Sequence, residues 1–566
     1  MQAYPKFGIR KVVLLDGFWD FKFIPEVGRN EVEVDRVEFD DVMCVPGSFD
    51  AMPKYLNCRG VGCYRRSISI EQTGRQELKF YGLGFSANIY INGQLVGKND
   101  LTYSPFTVEF QAPKAGTYEL IVITDNRYDE TTSPLMIHYY DFFGYGGIYR
   151  SVELHSLPEC ALQRVEVRMK NVYNGEITLS IRLTGEIPRQ LQCQISFDGG
   201  NAQSYTLDVN DQAAILDCRV PNCKLWSVET PNLHTVSVRL KDDLITERFG
   251  LRELKAKNGQ ILLNNIPQKL RGYCRHESHI EFGVSLPPAV MLEDLQNLKM
   301  MGCNFIRGVH YPQDAAFWDL CDQLGLIVWS ETLGWGNNET QFNNPLFKSA
   351  QLRQAENMIF NDINHPSIAF WGFLNEGLSN VESNKHIYRD ISSLLRSAND
   401  GRLITYASFT YEQDCCFEFA DVVSINAYPA WYLADELDMH PTAEIPLFFD
   451  KFIEFLNQSP FKDKPLIISE VGAGAIPGWH DRARRHWSEE YQLDYLETVV
   501  EYFAERSRVA GLSLWHYADC RTYGGKRALT RPRSLNNKGT FDEYRRPKLA
   551  YEAVKKVFTE LADKEK

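Results

Sequence analysis

A series of short apolar runs in the C-terminal half of the chain end on polar or charged residues. They are Arg275, His276 and Glu277; Arg307 with His310; Glu331; Asn375 and Glu376; Asn426 with Tyr428; Glu470; and Trp515 and His516 with Asp519. Two runs carry a carboxylate out of otherwise apolar surroundings, Ile368-Ala369-Phe370-Trp371-Gly372-Phe373-Leu374-Asn375-Glu376 and Pro465-Leu466-Ile467-Ile468-Ser469-Glu470. An ionised carboxylate in such a setting either pairs with a cation or has its pKa raised, and a raised pKa suits a general acid near neutral pH. One such glutamate is accounted for by an arginine at the same end of the fold. Two, one of them preceded by an asparagine, point to paired work. Paired carboxylates flanking a bond are the apparatus of glycoside hydrolysis: one protonates the leaving oxygen, and the other attacks the anomeric carbon or activates water, according to their separation. Residue types alone leave open which does which.

The elements that must position these groups are strands. Eight apolar β-runs, at 270–274, 304–308, 326–330, 368–374, 404–407, 422–427, 465–469 and 511–516, alternate with helical stretches such as 287–301 and 493–506. That alternation over 254–566 predicts a (β/α)8 TIM barrel, whose active site lies at the C-terminal ends of its strands, where Glu376 and Glu470 would meet. A doubly wound open sheet is the alternative, but no Gly-rich phosphate loop follows any run, so its nucleotide-binding version loses support. The preceding residues read as β-structure throughout. Runs such as 17–23 and 87–91, the latter followed by the Asn92-Gly93 hairpin signal, predict one β-sandwich over 1–157. Alternating runs such as 164–169 and 177–182 predict a second, immunoglobulin-like in size, over 158–253.

Composition excludes several function classes. The 566 residues carry 74 acidic against 61 basic side chains, a formal charge of -13 with no long basic run, which argues against nucleic acid as a partner. With 44% hydrophobic and 24% charged residues the chain is neither disordered nor fibrous. Its start lacks the apolar region of a signal peptide, and no stretch reaches the roughly 18 apolar residues that cross a bilayer. Thirteen cysteines, without CxxC pairs and including adjacent Cys415 and Cys416, match neither a disulfide framework nor a zinc site. The expectation is a cytoplasmic protein with no membrane partner, no metal and no cofactor.

Asn375-Glu376 and Glu470 behind two β-sandwiches resemble glycoside hydrolase family 2, the group of β-galactosidases, β-mannosidases and β-glucuronidases. The resemblance runs along almost the whole chain. It takes in Val45-Pro46-Gly47, Tyr64-Arg65-Arg66, Tyr90-Ile91-Asn92-Gly93, Phe249-Gly250-Leu251-Arg252, Leu270-Arg271-Gly272, Arg275-His276-Glu277 and Arg307-Gly308-Val309-His310-Tyr311-Pro312. It implies a jelly-roll sugar-binding-like sandwich, an immunoglobulin-like sandwich and the catalytic barrel. It also implies a retaining mechanism with Glu376 as acid/base, Glu470 as nucleophile, Asn375 on the sugar 2-hydroxyl, and a homo-oligomer.

Within the family, Asn536 and Lys538 in Arg531-Pro532-Arg533-Ser534-Leu535-Asn536-Asn537-Lys538 resemble the Asn-x-Lys carboxylate-binding motif of β-glucuronidases. An amide donor beside an ammonium is a suitable clamp for a uronic acid carboxylate. The same resemblance assigns Asp141, His310, Tyr428, Tyr432, Trp515 and Arg533 to substrate binding. Two departures fall near ring-hydroxyl contacts: Pro429 where many glucuronidases have a second tyrosine, and Pro532 where an arginine precedes the motif, with Arg531 and Arg533 beside it. The C4 configuration therefore stays open between an exo-β-glucuronidase, a β-galacturonidase and a dual enzyme. A β-galactosidase would leave Lys538 without a carboxylate, and a carbohydrate-binding protein would not need both glutamates. The short stretch between Glu331 and Glu376 leaves little room for a lid and predicts an open aglycone side.

Overall fold

Eight parallel strands close into a barrel: Leu270–Arg275, Phe305–Gly308, Ile327–Glu331, Ile368–Gly372, an interrupted fifth strand of Leu403–Thr405 and Ala407–Ser408, then Val423–Asn426, Leu466–Val471 and Val509–Leu514. The first pairs with the eighth, and the fifth meets the fourth through one segment and the sixth through the other, which completes the ring. This computed structural model describes residues 4–565 apart from 138–140, 433–440 and 524–530.

Side chains on a strand point alternately to its two faces, and here that alternation sorts the barrel interior by height. Phe305, Ile327, Phe370, Leu403 and Ile467 form an apolar plug at the N-terminal end. A small sheet of Leu254–Lys257, Gln260–Leu263 and Ile266–Gln268 contributes Leu254, Ile261 and Leu263 to the same cluster. Two residues further along the second and third strands, Arg307 and Trp329 take the next level, and Glu331 takes the one above. Gly372 is glycine because Trp329's indole and Glu331 occupy the space a Cβ would need.

The fourth strand ends at Gly372, short of the expected 374, because Leu374 and Glu376 adopt left-handed φ of 48° and 51° that turn the chain across the barrel mouth. The helix Glu489–Glu505 begins before the expected 493 because the Ser488 hydroxyl caps it, accepting from Tyr491 N at 3.1 Å. Between Glu331 and Glu376 lie a one-turn helix, Glu339–Phe342, and the 18-residue helix Pro345–Asp362.

Ahead of the barrel, a six-stranded and a four-stranded antiparallel sheet enclose a core that includes Trp19, Phe21, Tyr64, Leu78, Ile89, Leu120 and Leu154. The Asn92-Gly93 turn has φ of 47° and 77°, the paired positive values of a tight hairpin. The second sandwich folds one eight-stranded sheet over a core of Val165, Val167, Leu179, Ile181, Val236 and Ile245. Its edge strand is Lys6–Phe7, pairing with Thr246 and Ile245. The head of the chain, placed in the first sandwich by the 1–157 boundary, thus joins the second.

The first sandwich is locked to the barrel mouth. Arg150 donates to Glu277 at 2.7 Å and to the carbonyls of Pro312 (2.8 Å) and Tyr103 (2.9 Å), and Tyr103 stacks on Tyr311 with centroids 3.9 Å apart. Arg150 and Glu277 are 2% and 1% exposed, so removing one partner strands a buried charge. Arg150→Met should lower stability by about 3 kcal/mol or more, read as a loss of urea midpoint at pH 7. A change within error would mean that the sandwich is held by other contacts.

Candidate active site

Arg307, wholly buried on the second strand, is where the strand-end carboxylates converge. Its Nη1 donates to Glu470 Oε1 at 2.9 Å, its Nε and Nη2 fork onto Glu331 at 3.1 and 3.0 Å, and Nη2 also reaches Asn375 Oδ1 at 2.8 Å. Trp329 lies against the guanidinium, 4.6 Å from carbon to ring centroid. Two buried carboxylates facing one guanidinium leave an excess negative charge in a low-dielectric site. Burial accordingly lifts Glu470 to about 8, with Arg307 pulling down and Glu376 pushing up, and lifts Glu331 to about 7 against the pull of Arg307. Glu470 thus has both the cation and the raised pKa that the sequence offered as alternatives.

The second oxygen of Glu470 accepts from the Tyr428 hydroxyl at 2.7 Å. Glu376 is half-buried at the end of the neighbouring turn. Asn426 Nδ2 donates to Glu376 Oε1 and to Asn375 Oδ1, both at 2.9 Å, while Ser469 Oγ donates to Asn426 Oδ1 at 2.8 Å. Asn426 and Glu470 are register partners on the sixth and seventh strands, so strand pairing sets this layer. The Asn375 side chain is oriented through its oxygen, and its buried Nδ2 makes no hydrogen bond. His310 bonds Glu331 Oε1 through Nδ1 at 2.9 Å and stacks on Trp515 at 5.1 Å and 21°. Burial, reinforced by Arg307, holds its pKa well below the usual 6.5, so the ring is neutral. The carboxylate at Nδ1 sets the proton there and leaves Nε2 as an acceptor 3.7 Å from Glu470 Oε1.

The other end of the site is shared between the first sandwich and the loop after the eighth strand. Asp141, from the sandwich, takes a two-pronged contact from Arg531, Nε to Oδ1 at 2.7 Å and Nη2 to Oδ2 at 2.5 Å, and accepts from Asn536 Nδ2 at 3.1 Å. Arg531 Nη2 and Lys538 Nζ both donate to the Tyr432 hydroxyl, at 3.0 and 2.6 Å. Glu376, Glu470, Asp141, Tyr428, Tyr432, Trp515 and Arg531 line one cavity of about 1130 Å³. Asn536 and Lys538, nearly sealed from solvent, stand behind Asp141 and Tyr432.

Of the residues assigned by sequence to catalysis or substrate binding, Arg533 alone lies apart from this cluster. Its backbone, at φ 59°, turns its half-exposed side chain to Glu543 at 3.0 Å, and the neighbouring Arg531 takes the cavity wall instead. The one-residue choice between two arginines flanking Pro532 depends on the local turn, which composition does not reveal. Sequence reading also gave Arg307, Glu331 and Asn426 only as strand-end residues. For Arg307 and Glu331 the spacing, two residues beyond the inward apolar Phe305 and Trp329 on the same strands, was the available signal for an inward-facing layer, whereas Asn426 follows the polar Ser424 and carried no such signal.

Among the described residues one group has metal-ligating types in reach of one another: Asp319, Asp322 and His365, all buried. It lies against the second sandwich. His365 Nδ1 bonds Asp322 at 2.7 Å, Arg248 of the sandwich donates to Asp319 at 2.8 Å, and Ser367 donates to Asp322 from both N and Oγ. These bonds already satisfy the carboxylates, so the arrangement fits an interdomain ion-pair network.

Residues 254–563 match the sequence model of glycosyl hydrolases family 2, TIM barrel domain; residues 13–158 match its sugar binding domain, and residues 153–252 the family 2 model between them. A beta-glucuronidase of Streptococcus agalactiae is 28% identical, covering 96% of this chain and 95% of its own. The beta-glucuronidase of Homo sapiens is 25% identical, covering 92% and 85%. Among solved structures, a beta-galacturonidase of Eisenbergiella tayi superposes with a TM-score of 0.89 at 32% identity, over 99% of this chain and 98% of that one. A beta-glucuronidase of Bifidobacterium dentium does so with 0.88 at 25%, over the same shares.

The electrostatics make a directional prediction. Arg307 favours the ionised form of Glu470, so Arg307→Met should move the acid limb of the kcat/KM pH profile upward by about one unit or more, with a loss of about 100-fold at pH 7. An unmoved limb would show that Glu470 does not govern it.

Proposed function

Because the chain belongs to glycosyl hydrolase family 2 and is therefore a glycoside hydrolase, we propose that it is a retaining, exo-acting β-hexuronidase, removing terminal β-glucuronate or β-galacturonate. The observation that carries the uronide reading is the meeting of two cations, Arg531 and Lys538, on the single hydroxyl of Tyr432 at one end of the cavity. A hexuronate carboxylate seated there would meet the positive charge of the Arg531 guanidinium, whose Nε and Nη2 are held by Asp141, with the Lys538 ammonium behind it. The names of the matched relatives support the same substrate class. Both C4 epimers belong to the reading, because the 32%-identical structural neighbour is named a galacturonidase and the other relatives cited are named glucuronidases.

In this mechanism Trp515 forms the floor under the sugar ring, and Asn375 Nδ2 donates to the 2-hydroxyl. Arg307 and Tyr428 each hold one oxygen of Glu470, aiming the carboxylate at the anomeric carbon. As the bond from carbon to Glu470 forms, the glycosidic bond breaks, and Glu376 gives its proton to the departing oxygen. Glu376 then takes a proton from water, which attacks the glycosyl ester and frees Glu470. The thirteen cysteines are free thiols, which suits the proposed reducing cytoplasm, and a homo-oligomer is part of the same reading.

Glu470→Ala should lose about 10⁴-fold in kcat, and azide should restore turnover with an α-glycosyl azide as product. Glu376→Ala should give the β-azide. The opposite anomers, or substantial activity of Glu470→Ala without azide, would overturn the assignment. Lys538→Ala should lose about 100-fold on aryl β-uronides, roughly 3 kcal/mol of transition-state binding, and far less on the matching neutral β-glycosides. Initial rates of the wild type on matched aryl β-glucuronide, β-galacturonide and β-galactoside test the substrate class and give the C4 preference. A galactoside that outruns both uronides would overturn it.

A further inference from the structure

The Phe249-Gly250-Leu251-Arg252 stretch takes no part in the catalytic cavity. It leads from the second sandwich to the N-terminal end of the barrel, away from Glu376 and Glu470. Gly250 is glycine because a Cβ there would lie 2.8 Å from Pro366 and 2.9 Å from Trp226, so the chain passes close against the start of the fourth strand. Arg252 follows and is 5% exposed. Its Nε donates to Pro366 O at 2.9 Å and its Nη2 to Ile368 O at 2.7 Å, while Nη1 has no acceptor among the described residues.

A second arginine comes to the same carbonyl. Arg402 Nε also donates to Ile368 O, at 2.7 Å, but its Nη1 is paired with Asp400 at 2.7 Å. Asp400 is fully occupied there, since it also accepts from Trp371 Nε1 and from Arg402 N, both at 3.0 Å. Arg252 therefore meets backbone carbonyls and, among the described residues, forms no ion pair. Carbonyl dipoles orient a guanidinium without cancelling its charge, and buried charges are ordinarily paired. Burial, with Arg402 adding to it, pulls the pKa of Arg252 down to about 9, which still leaves it a cation at pH 7.

Arg252 lines a cleft of about 340 Å³ between the second sandwich and the barrel. Lys170 and Asn171 border it at the end of strand Cys160–Asn171, Glu253 beside Arg252, and Asp400 and Gly401 after helix Lys385–Ser397. Every other charge on this wall is answered: Lys170 by Asp217 at 2.7 Å, Glu253 by Lys255 at 2.7 Å, and Asp400 by Arg402. The positive charge left over is that of Arg252. Lys170 gives one of its three donors to Asp217, and Asn171 Oδ1 accepts from Tyr173 N at 3.1 Å, which leaves the amide nitrogen of Asn171 as a donor. Gly401, at φ 73°, keeps the floor open, since a Cβ there would meet nothing within 4 Å.

We propose that this cleft is a binding site for a phosphate group, free or at the end of a small ester, which Arg252 holds through Nη1 and which Lys170 and Asn171 meet from the sandwich side. A tetrahedral anion offers acceptors in every direction and so can take donors from both walls, whereas a planar carboxylate offers them along one edge. A bound phosphate would tie the second sandwich to the base of the barrel. The inference is independent of the sugar that the enzyme cleaves.

Inorganic phosphate titrated into the whole chain at pH 7, at constant ionic strength in chloride and followed by phosphorus NMR, should show saturable binding with a Kd of about 1 mM or tighter. Glycerol phosphate in a second arm decides between the two sources, the tighter of the two being the class of ligand. Arg252→Gln should abolish the saturable binding. Asn171→Asp keeps an oxygen for Tyr173 N, and with it the turn, but sets a carboxylate in the cleft; it should weaken binding by about tenfold or more and decides the matter if Arg252→Gln does not fold. Failure of both ligands to saturate the wild type, or equal affinity of the wild type and Asn171→Asp, would overturn the proposal.

Discussion

The rest of the site depends on one buried cation. Arg307 sits in the interior of the barrel with Trp329 against its plane, Glu331 and Glu470 in its reach, and Asn375 on the remaining donor. A guanidinium is suited to this position because its five donors lie in a rigid plane and it cannot shed its charge by deprotonation. Two carboxylates on one cation keep a proton near neutral pH. That proton belongs to the Glu331 and Glu470 pair, while Glu376, the acid of the proposed mechanism, stands outside the pair and accepts from Asn426 Nδ2. The interaction is costly to bury, and the apolar plug beneath it supplies the fixed walls that keep its geometry.

The barrel builds this layer by itself, but the sugar end of the cavity does not belong to the barrel alone. Asp141 arrives from the first sandwich and is clasped by Arg531 and Asn536 from the loop after the last strand. Arg150 and Glu277, with the stacked Tyr103 and Tyr311, hold the sandwich close enough for that contact. The N-terminal domain is thus a wall of the active site, and Lys6–Phe7, pairing with the second sandwich, ties the head of the chain across both. In the proposed reading the far hydroxyls of a terminal sugar would meet groups that the docked sandwich holds fixed against the barrel.

Charge and aromatic surface share the cavity wall. Over the sixth to eighth strands charge is opposed by charge where Arg531 forks onto Asp141, and the loss of such bonds is expensive in a buried place. Aromatic faces line both sides, Trp335, Phe409 and Tyr411 after the third to fifth strands and Tyr428, Trp431, Tyr432, Trp487 and Trp515 after the sixth to eighth.

The amino-acid sequence by itself determined a good deal. The period-2 runs and the helical stretches between them follow from backbone sterics and local hydrophobic pattern, so the barrel, both β-regions and the strand-end positions of Glu376, Glu470, Asn426 and Trp515 were legible without coordinates. The family resemblance added the motif around Asn536 and Lys538. What tertiary structure decided was pairing between residues far apart in the chain: Arg307 with Glu470, Asp141 with Arg531, Lys6–Phe7 with the second sandwich. The choice of Arg531 over Arg533 for the cavity turned on the left-handed pair Arg533 and Ser534, where the backbone sends Arg531 inward and Arg533 toward Glu543. Local pattern fixes which face of an element a residue occupies. The charge that residue meets there is set only when the barrel closes and the sandwich docks, because those distances depend on every strand between them.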